Sequence, residues 1–547
     1  MAKTLKAILL GGVGEIGKNI TALEYGDSII IIDAGLSFPT EETPGVDIVI
    51  PDFSYLKSNA AKVKAIFLTH GHEDHVGAVP YLLSTIKAPV YGTAMTLAIA
   101  ALKLEEFKIE AELVEVEPGD TAQAGPFSVE FIKVCHSVPG ATALSIKTPQ
   151  GIVFFTGDYK IDFTPVDGKL TDLARIADIG KEGVLAMFAD STNVEKRGHS
   201  QSETEVCAGL ESVFLEYPEK RLIITTFSSH TYRIQQIINL AVKYKRKVVL
   251  SGKSMQKMVD TAKRLGELDA PAKIFIEQGD MKNYADGKLV VISAGSQGEP
   301  MSALTRMANN EYSKVKIREN DIIVMSSSAI PGNERLIYNV VNNLYKLGAE
   351  VIYDAVDNMH ASGHAFREEM KLMITLLKPR FFIPVHGEYR HLVKHAALAK
   401  QAGVPPENVL IGEIGSVFGF NNYSCRRLDN VTAGSVFVDG NGPDGLSLDT
   451  IIRDRRSLSS GGIIILFANL SDGGKLNSLD IIPRGFTVTE EFEREMKREA
   501  EASLQKLTFE EGTDISDVKA VMRRAVKRLV ADRYRRFPII LPIIIES

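Results

Sequence analysis

The sequence of 547 residues predicts a multidomain α/β protein that contains a doubly wound domain and ends in a small α+β domain. Strand-like apolar runs, several of which end in a polar residue, occupy the chain up to about Ser202. From there to about residue 347, helical and strand-like segments alternate, which is typical of a parallel sheet with helices on both faces. The length also exceeds what one hydrophobic core organises, so we expect several domains.

The composition is typical of a soluble globular protein and carries no global nucleic-acid signature. Hydrophobic residues make up 45% and charged residues 24% of the chain, and the net charge is −6. A nucleic acid would therefore need a local groove. The three cysteines are far apart and odd in number, which favours a reducing cytosol over a disulfide framework. Because neither a signal peptide nor an apolar run of about 18 residues is present, we expect a cytoplasmic protein without a membrane partner.

The first strands are predicted to form a hairpin around a glycine-rich segment. Residues 5–10 are a strand-like run, and residues 12–17 match the dinucleotide-binding pattern G-x-G-x-x-G. That pattern requires a helix after the glycines, but strand-like runs at 20–25 and 28–32 follow instead. We therefore interpret the glycines as a turn. The last of these strands ends at Asp33, a residue type that caps turns.

The strongest chemical signal is the motif His70-x-His72-x-Asp74-His75. It follows a buried strand predicted at residues 63–68 and precedes a predicted helix. Imidazole and carboxylate groups are donors that suit zinc or manganese, and donors clustered at the end of a strand can converge without crossing the core. The motif therefore predicts a metal site.

Other residues of ligand type occur where strand-like runs end, or in glycine-containing loops. These residues are His136, Asp158, Asp190, His360, His364 and His386. Because loops at strand ends are where α/β scaffolds usually build their sites, we expect some of them to join the metal motif. His391 and His395 lie at helical spacing and are expected on a solvated helix face. His199 and His230 are candidates for substrate contact.

Two loops of the doubly wound segment are suited to anions. Residues 228–231 and 295–298 each connect the end of a predicted strand to the start of a predicted helix. Such loops offer unpaired backbone N–H groups and a favourable helix dipole. They predict a phosphate contact in this domain.

The tail is expected to fold as a small α+β domain of its own. Residues 449–462, which include three arginines, are interpreted as a polar linker. A strand, two charged helices and the apolar run at 539–545 are predicted to follow. The basic residues of the second helix indicate either a solvated face or an RNA-binding surface.

Taken together, these motifs resemble the ribonuclease J family, whose members are bacterial β-CASP nucleases of the metallo-β-lactamase superfamily. The resemblance rests on G-V-G-E-I-G-K-N at 12–19, F-T-G-D at 155–158, A-D-S-T-N at 189–193, G-S-Q-G-E-P at 295–300, S-G-H at 362–364, P-V-H-G-E at 384–388 and L-P-I-I-I-E at 541–546. It implies the following division: a metallo-β-lactamase αββα sandwich at 1–205 and 356–448, an inserted β-CASP domain at 206–355, a linker at 449–462 and a C-terminal domain at 463–547.

The resemblance also implies roles for individual residues. It implies one metal ion on His70, His72 and His136, a second on Asp74, His75 and His386, Asp158 bridging the two, and Asp33 supporting the ligands. It implies that Asp74, Asp190 and His364 take part in catalysis. The implied RNA contacts are Ser229, His230, His360, Ala361, Ser362, Gly363 and His364. At His230 the chain departs from the asparagine that is usual in the family.

The implied function is a zinc-dependent ribonuclease of RNA maturation and decay with 5′→3′ exonuclease and endonuclease activity. Two Zn²⁺ ions, or Mn²⁺ or Mg²⁺ in their place, would clamp a phosphodiester and activate water near neutral pH. Single-stranded RNA with a 5′-monophosphate is the expected substrate. Assembly into homodimers or homotetramers and association with other RNA-decay proteins are also expected.

Three alternatives fit parts of the pattern. A small-molecule hydrolase of the same superfamily would need the metal motif but neither the inserted domain nor His364. A non-catalytic scaffold would be expected to lack ligands, whereas all seven are present. A DNA-directed or 3′-end-processing β-CASP nuclease would be expected to differ in its tail, although the sequence shows no motif that reads a 2′-hydroxyl.

Overall fold

The computed structural model describes residues 4–39, 43–299, 301–327, 333–353, 361–440, 449–471, 476–485, 487–505 and 515–546. The chain divides into two compact units, one of Met1–Phe38 with Val49–Ser435 and one of Pro39–Ile48 with Val436–Ser547. The predicted contact residue His360 lies outside the described residues. None of the described helices combines the length and apolarity that crossing a membrane requires. All three cysteines carry free thiols.

The helices and strands follow one another in chain order. Up to Asp190 they are β1 (Leu5–Gly11), β2 (Val13–Gly14), β3 (Ile20–Tyr25), β4 (Ser28–Ile32), β5 (Ile48–Pro51), α1 (Ser54–Ser58), β6 (Val63–Phe67), α2 (Glu73–Val76), α3 (Val79–Leu83), β7 (Val90–Gly92), α4 (Ala94–Phe107), β8 (Leu113–Glu115), β9 (Thr121–Ala124), β10 (Phe127–Lys133), β11 (Thr142–Thr148), β12 (Gly151–Phe155), α5 (Leu173–Glu182) and β13 (Val184–Asp190). The inserted segment contains α6 (Glu203–Glu216), β14 (Leu222–Thr225), α7 (Thr231–Lys243), β15 (Lys247–Ser251), α8 (Lys253–Arg264), β16 (Leu289–Ser293), α9 (Ala303–Ala308), β17 (Ile322–Met325), α10 (Glu334–Lys346) and β18 (Glu350–Ile352). The remainder contains α11 (Arg367–Leu377), β19 (Phe381–Val385), β20 (Gly387–Glu388), α12 (Tyr389–Gln401), β21 (Val417–Phe420), β22 (Cys425–Leu428), β23 (Ser435–Val438), α13 (Asp449–Gly461), β24 (Ile463–Leu470), β25 (Leu476–Arg484), α14 (Glu490–Gln505), α15 (Ile515–Tyr534) and β26 (Ile539–Glu546).

Two sheets of the larger unit form the sandwich that was predicted. Among the described strands, one sheet has the order β22-β21-β1-β3-β4-β6-β7-β8 and the other the order β19-β13-β12-β11-β10-β9. Side chains such as Leu9, Phe131 and Phe188 fill the space between them. Helices α5, α11 and α12 cover the outer face of the second sheet through residues such as Met373 and Leu398. Helix α4 packs against β7 and β8 of the first sheet.

The inserted segment forms a parallel sheet in the order β15-β16-β14-β17-β18, which confirms the doubly wound prediction. Every residue of β14 and β16 is buried, as expected for strands covered on both faces. Helix α6 begins where the Ser202 side chain accepts a hydrogen bond from the Thr204 N–H. At the base of the sheet, the buried Arg221 guanidinium pairs with the Asp321 carboxylate through Nε and Oδ1 at 2.9 Å, which compensates both charges.

The smaller unit contains the sheet β25-β24-β26, with α14 and α15 packed on one face. Phe492, Met496 and Met522 belong to this core. The segment interpreted as a polar linker, residues 449–462, forms helix α13 over Asp449–Gly461. Its run of polar residues contains no proline, and Ile452 is buried. A polar sequence alone therefore did not distinguish a linker from a surface helix.

Candidate metal centre

The candidate ligands meet because strands of both sheets end at the same place. In one sheet β4 and β6 are parallel neighbours, and in the other β12, β13 and β19 are parallel neighbours. β10 runs in the same direction as β12, since both are antiparallel to β11. The carboxyl ends of such strands are where α/β folds build sites. The residues that follow these ends include the 70–75 motif, His136, Asp158 and His386.

One group of donors consists of His70, His72, His136 and Asp158, whose ligand atoms lie within 4.8 Å of one another. His72 Nδ1 is 3.2 Å from His70 Nε2 and 3.0 Å from His136 Nε2. The carboxylate oxygen Oδ2 of Asp158 is 3.5 Å from His70 Nε2. Three nitrogens and one oxygen therefore face a common point.

A second group consists of Asp74, His75, His386 and the same Asp158. His386 Nε2 lies 3.0 Å from Asp74 Oδ2 and 3.4 Å from Asp158 Oδ2. His75 Nε2 is 3.3 Å from Asp158 Oδ2. Asp158 thus belongs to both groups, and its carboxylate is the donor that they have in common.

The spacing and chemistry of these donors fit divalent ions. Donors about 2.0–2.1 Å from a tetrahedral zinc ion lie about 3.3 Å from one another. The contacts of 3.0–3.2 Å between His70, His72 and His136 are close to that value. Imidazole nitrogens and carboxylate oxygens also suit zinc and manganese. The cluster therefore has the donors and spacing to hold divalent metal ions.

The electrostatics of the cluster favour a bound cation. Burial lowers the pKa of His70, His72 and His136, to about 4 for His72, so these imidazoles keep their lone pairs. Burial acts in the same direction on His75, but the neighbouring carboxylates, Asp158 foremost, raise its pKa well above the usual value. Burial raises the pKa of Asp158, but the surrounding histidines hold it well below its usual range. Ionised, buried carboxylates need compensating positive charge.

Each candidate imidazole has its other ring nitrogen held by a partner, as is usual for metal-ligating histidines. The partners are Thr69 Oγ1 for His70 (3.1 Å), Ser137 Oγ for His72 (3.2 Å), Asp33 Oδ2 for His75 (2.7 Å), the Gly363 carbonyl for His136 (2.6 Å) and Thr192 Oγ1 for His386 (2.9 Å). Asp33 also accepts hydrogen bonds from the backbone N–H and the hydroxyl of Thr69, each at 2.8 Å. Asp33 therefore contacts both His75 and Thr69, the residue that precedes the metal motif.

The glycine-rich segment connects β1 to β3 as a hairpin, which confirms that no helix follows the glycines. Its function in the fold was not predicted. The Gly12 carbonyl accepts a 2.7 Å hydrogen bond from the His386 N–H. At the end of the segment, Asn19 Nδ2 lies 3.1 Å from the Asp74 carbonyl and 3.0 Å from His75 Nε2. Only the fold reveals these contacts, because they join residues up to several hundred positions apart.

Replacing Gly35 with alanine should disturb the metal motif directly. A Cβ at Gly35 would lie 1.6 Å from the Asp74 carbonyl oxygen, so the backbone that carries Asp74 and His75 must move. Because misplacement by about 1 Å reduces catalysis by about 10²-fold, we expect a loss of that size in turnover. Gly279→Ala is the matched control, since a Cβ there meets nothing within 4 Å. Equal turnover of both variants in a cleavage assay would contradict this expectation.

A third group joins Asp158, Asp190 and His364 beside the first two. His364 Nδ1 is 2.8 Å from Asp190 Oδ2, so the Asp190 carboxylate restrains the orientation of the His364 ring. Burial lowers the pKa of His364, but Asp190 and Asp158 outweigh this effect and raise it. The His364 side chain is 21% exposed, whereas Asp190 is buried.

The remaining predicted RNA contacts differ in their accessibility. Ala361 is buried, and Ser362 Oγ accepts a hydrogen bond from Asn193 Nδ2 at 2.6 Å. Ser229 is partly buried, and His230 is only 2% exposed. His230 begins helix α7 by accepting a hydrogen bond from the Arg233 N–H, and its Nε2 is 3.4 Å from the Glu203 carboxylate. His230 therefore organises the loop that contains Ser229.

The expectation of a solvated face for His391 and His395 was wrong, because both are buried in α12. His395 Nδ1 lies 3.0 Å from Ser191 Oγ, and His391 Nδ1 accepts a hydrogen bond from the Glu388 N–H. The spacing of four residues placed both histidines on one helix face correctly. Which face points inward is decided by the neighbouring Leu392 and by the sheet on which α12 packs.

Four family models match the chain. They describe the metallo-beta-lactamase superfamily (residues 13–187), the ribonuclease J beta-CASP domain (219–344), the Zn-dependent metallo-hydrolase RNA specificity domain (348–411) and the ribonuclease J C-terminal domain (450–547). The last match begins within α13, which agrees with the helix found there.

Curated relatives are similar over nearly the whole chain. Ribonuclease J of Thermus thermophilus is 40% identical over 99% of this chain and 95% of its own length. Ribonuclease J2 of Bacillus subtilis is 39% identical over 100% and 99%, respectively. Among solved structures, a protein of unknown function from Enterococcus faecalis covers 77% of this chain and 100% of its own, with a TM-score of 0.54 and 17% identity. That last likeness concerns the fold alone.

Proposed function

Because this chain belongs to the ribonuclease J family and is a metal-dependent ribonuclease, we propose that it degrades and matures RNA by both 5′→3′ exonucleolytic and endonucleolytic hydrolysis with two zinc ions. The observation that carries the proposal is the position of Asp158 between two groups of donors. In this arrangement His70, His72 and His136 would hold one ion, Asp74, His75 and His386 would hold the other, and Asp158 would contribute to both. Mn²⁺ or Mg²⁺ could replace zinc. When bound, the ions supply Lewis-acid activation of water and neutralise charge that develops at phosphorus.

Other residues of the chain orient the ligands and contact the substrate. Asp33 and Thr69 orient the ligands by holding the far nitrogens of His75 and His70. Because His364 Nδ1 is engaged by Asp190, its Nε2 is the atom available to the substrate. We assign to that nitrogen a hydrogen bond to the scissile phosphate or a proton for the leaving oxygen. The partial exposure of His364, next to a buried cluster, supports this role.

The inserted domain is proposed to bind the 5′-monophosphate. In the described chain, the buried hydroxyls of Thr225, Thr226, Ser251 and Ser296 have no hydrogen-bond partner. Thr225 and Thr226 lie at or just beyond the carboxyl end of β14, and Ser251 ends β15. Ser296 follows β16, the strand between those two, so all four are near the sheet edge where such folds bind ligands. The two loops predicted for anions, 228–231 and 295–298, start from the same edge. Burial raises the pKa of Glu299, which reduces its repulsion of an anion.

Single-stranded RNA is the proposed partner, and assembly into homodimers or homotetramers is proposed through the smaller unit. The side chains of Phe467, Ile482, Leu541 and Ile543 are partly exposed in its sheet. By the pairing register they lie on the face opposite the core formed by α14 and α15. An exposed apolar face of this kind supports association. Association with other RNA-decay proteins remains part of the same proposal.

A time course on end-labelled RNA, combined with metal analysis, tests the proposal. Because the proposed 5′-phosphate contacts are buried hydroxyls, we expect 5′-monophosphate RNA to be degraded to mononucleotides at least about tenfold faster than 5′-triphosphate RNA, a difference of about 1.4 kcal/mol. Internal cuts should appear on both substrates. Two zinc ions per chain should be measured by mass spectrometry. Equal rates on the two substrates would refute the 5′-phosphate pocket, and a protein without bound metal at full activity would refute the metal assignment.

A further inference from the structure

We propose that Thr192 is a positioning residue whose hydroxyl couples His386 to the Asp190–His364 pair. The inference rests on the proposed function, in which His386 is a metal ligand and His364 faces the substrate. Thr192 is neither one of the candidate ligands nor one of the predicted RNA contacts. It belongs to the strand-end motif A-D-S-T-N, in which only Asp190 was predicted to act.

The geometry forms one continuous chain of hydrogen bonds. Thr192 Oγ1 is 2.9 Å from His386 Nδ1 and 2.7 Å from Asp190 Oδ1. The other carboxylate oxygen of Asp190, Oδ2, is 2.8 Å from His364 Nδ1. Thr192 therefore stands between a candidate ligand of the second ion and the residue proposed to contact the phosphate.

The direction of each hydrogen bond follows from the number of protons. A hydroxyl donates one proton, and Thr192 Oγ1 has two acceptors within reach, Asp190 Oδ1 at 2.7 Å and the His386 carbonyl at 3.2 Å. The nearer acceptor is a carboxylate and makes the stronger bond. With its proton donated there, Oγ1 can only accept from the His386 ring, so Nδ1 of His386 carries the hydrogen.

This assignment determines which nitrogen of His386 is free. With the hydrogen on Nδ1, the lone pair is on Nε2, the atom 3.0 Å from Asp74 and 3.4 Å from Asp158. The same logic applies at the other end, since the Asp190 carboxylate only accepts and His364 must donate from Nδ1. One turn of the chain thus sets the tautomers of both histidines.

The position of this turn is fixed by the sheet. β13 and β19 are parallel neighbours, and Asp190 pairs with Val385, so the turn after β13 lies directly beside His386. The Thr192 N–H also donates to Asp190 Oδ1, at 2.9 Å. Asn193 Nδ2 donates to the carbonyl of His364 at 3.2 Å, which holds the opposite loop. Hydrogen bonds therefore hold the backbone that carries the Thr192 hydroxyl in place.

Thr192→Val is the direct test, because it keeps the branched shape and removes only the hydroxyl. The Asp190 carboxylate keeps its backbone donor in this variant, whereas His386 Nδ1 loses its partner. We expect kcat on 5′-monophosphate RNA to fall by about 10–100-fold, the usual effect of losing an outer partner of a ligand, with KM unchanged. In zinc-loaded protein dialysed against graded chelator, the variant should lose one of its two ions at a lower chelator concentration than the wild type.

Two further variants separate coupling from packing. Thr192→Ser keeps the hydroxyl and should restore kcat and zinc retention to within about threefold of the wild type. Ser191→Ala removes a neighbouring buried hydroxyl that pairs with His395 instead, and it should also stay within that range. Wild-type kcat and zinc retention in Thr192→Val would overturn the inference. So would equal losses in Thr192→Val and Thr192→Ser, or in Thr192→Val and Ser191→Ala.

His386→Ala distinguishes a failure of this inference from a failure of the proposed function. If His386→Ala loses zinc and activity while Thr192→Val behaves as wild type, only the role of Thr192 is refuted. If His386→Ala keeps both ions and full activity, the ligand assignment itself is wrong. Thermal unfolding in the presence of chelator verifies that each variant is folded, and Thr192→Ala replaces Thr192→Val if the valine variant does not fold.

Discussion

Asp74→Ala should abolish RNA cleavage while leaving the fold intact. Asp74 Oδ2 lies 3.0 Å from His386 Nε2. Asp158 belongs to both groups of donors, so Asp74 is the one carboxylate that the second group does not share with the first, and the substitution removes it. Losing an outer partner of a ligand already reduces activity by about 10–100-fold, so losing a ligand should reduce kcat by more than about 10³-fold. The Asp74 side chain is 28% exposed, so its truncation leaves no deep cavity and the thermal unfolding temperature without metal should change little.

Glu73→Ala is the matched control for this prediction. Glu73 is the adjacent acid in α2, but its side chain points to solvent and pairs with Lys103 at 2.6 Å. An exposed ion pair of this type contributes at most about 1 kcal/mol, and turnover should stay close to that of the wild type. Kinetics on end-labelled RNA and zinc analysis should be measured on both variants. Near wild-type turnover of Asp74→Ala would reject the metal assignment.

His364→Ala should reduce kcat by about 10²–10⁴-fold without loss of bound metal. The range is that of a general acid or base, and the mechanism gives His364 Nε2 the contact with the phosphate or the leaving oxygen. Zinc retention should be unchanged, because the two donor groups formed by the seven candidate ligands do not include His364. Single-turnover cleavage and zinc analysis of the same preparation measure both quantities.

The double variant Asp190→Asn/His364→Ala tests whether the two residues act as a unit. Asp190 touches His364 at 2.8 Å, so its effect on the substrate should depend on that histidine. We expect Asp190→Asn to add little to the loss already caused by His364→Ala. Strictly additive losses would indicate instead that Asp190 acts independently on the metal cluster. Loss of zinc in His364→Ala would show that this histidine belongs to the metal site itself.

The local pattern of the sequence was sufficient to predict the parallel sheet of the inserted segment. Uninterrupted apolar runs predicted β14 and β16 as buried parallel strands, and the structure confirms both. The two strand-like runs after the glycines excluded a nucleotide-binding helix, which is also confirmed. The helical form of residues 449–461 and the burial of His391 and His395 were missed for a common reason. Each depends on what packs against a helix, and polarity or spacing within that helix does not contain this information.

The sequence by itself determined which residues have the chemistry for a metal site, because a dense motif such as His70 to His75 has few purely structural explanations. Their division into two groups was implied only by the family resemblance, and how they are held was not predicted at all. Asp158 lies between two groups of donors, Gly12 and Asn19 reach His386 and the 70–75 motif, and Thr192 links His386 to Asp190 and His364. A hydrogen bond forms only when its two heavy atoms are about 3 Å apart. The positions of residues along the chain do not show which atoms come that close. The pairing of parallel strands β13 and β19, which brings Asp190 beside Val385 and therefore Thr192 beside His386, decided the last of these contacts.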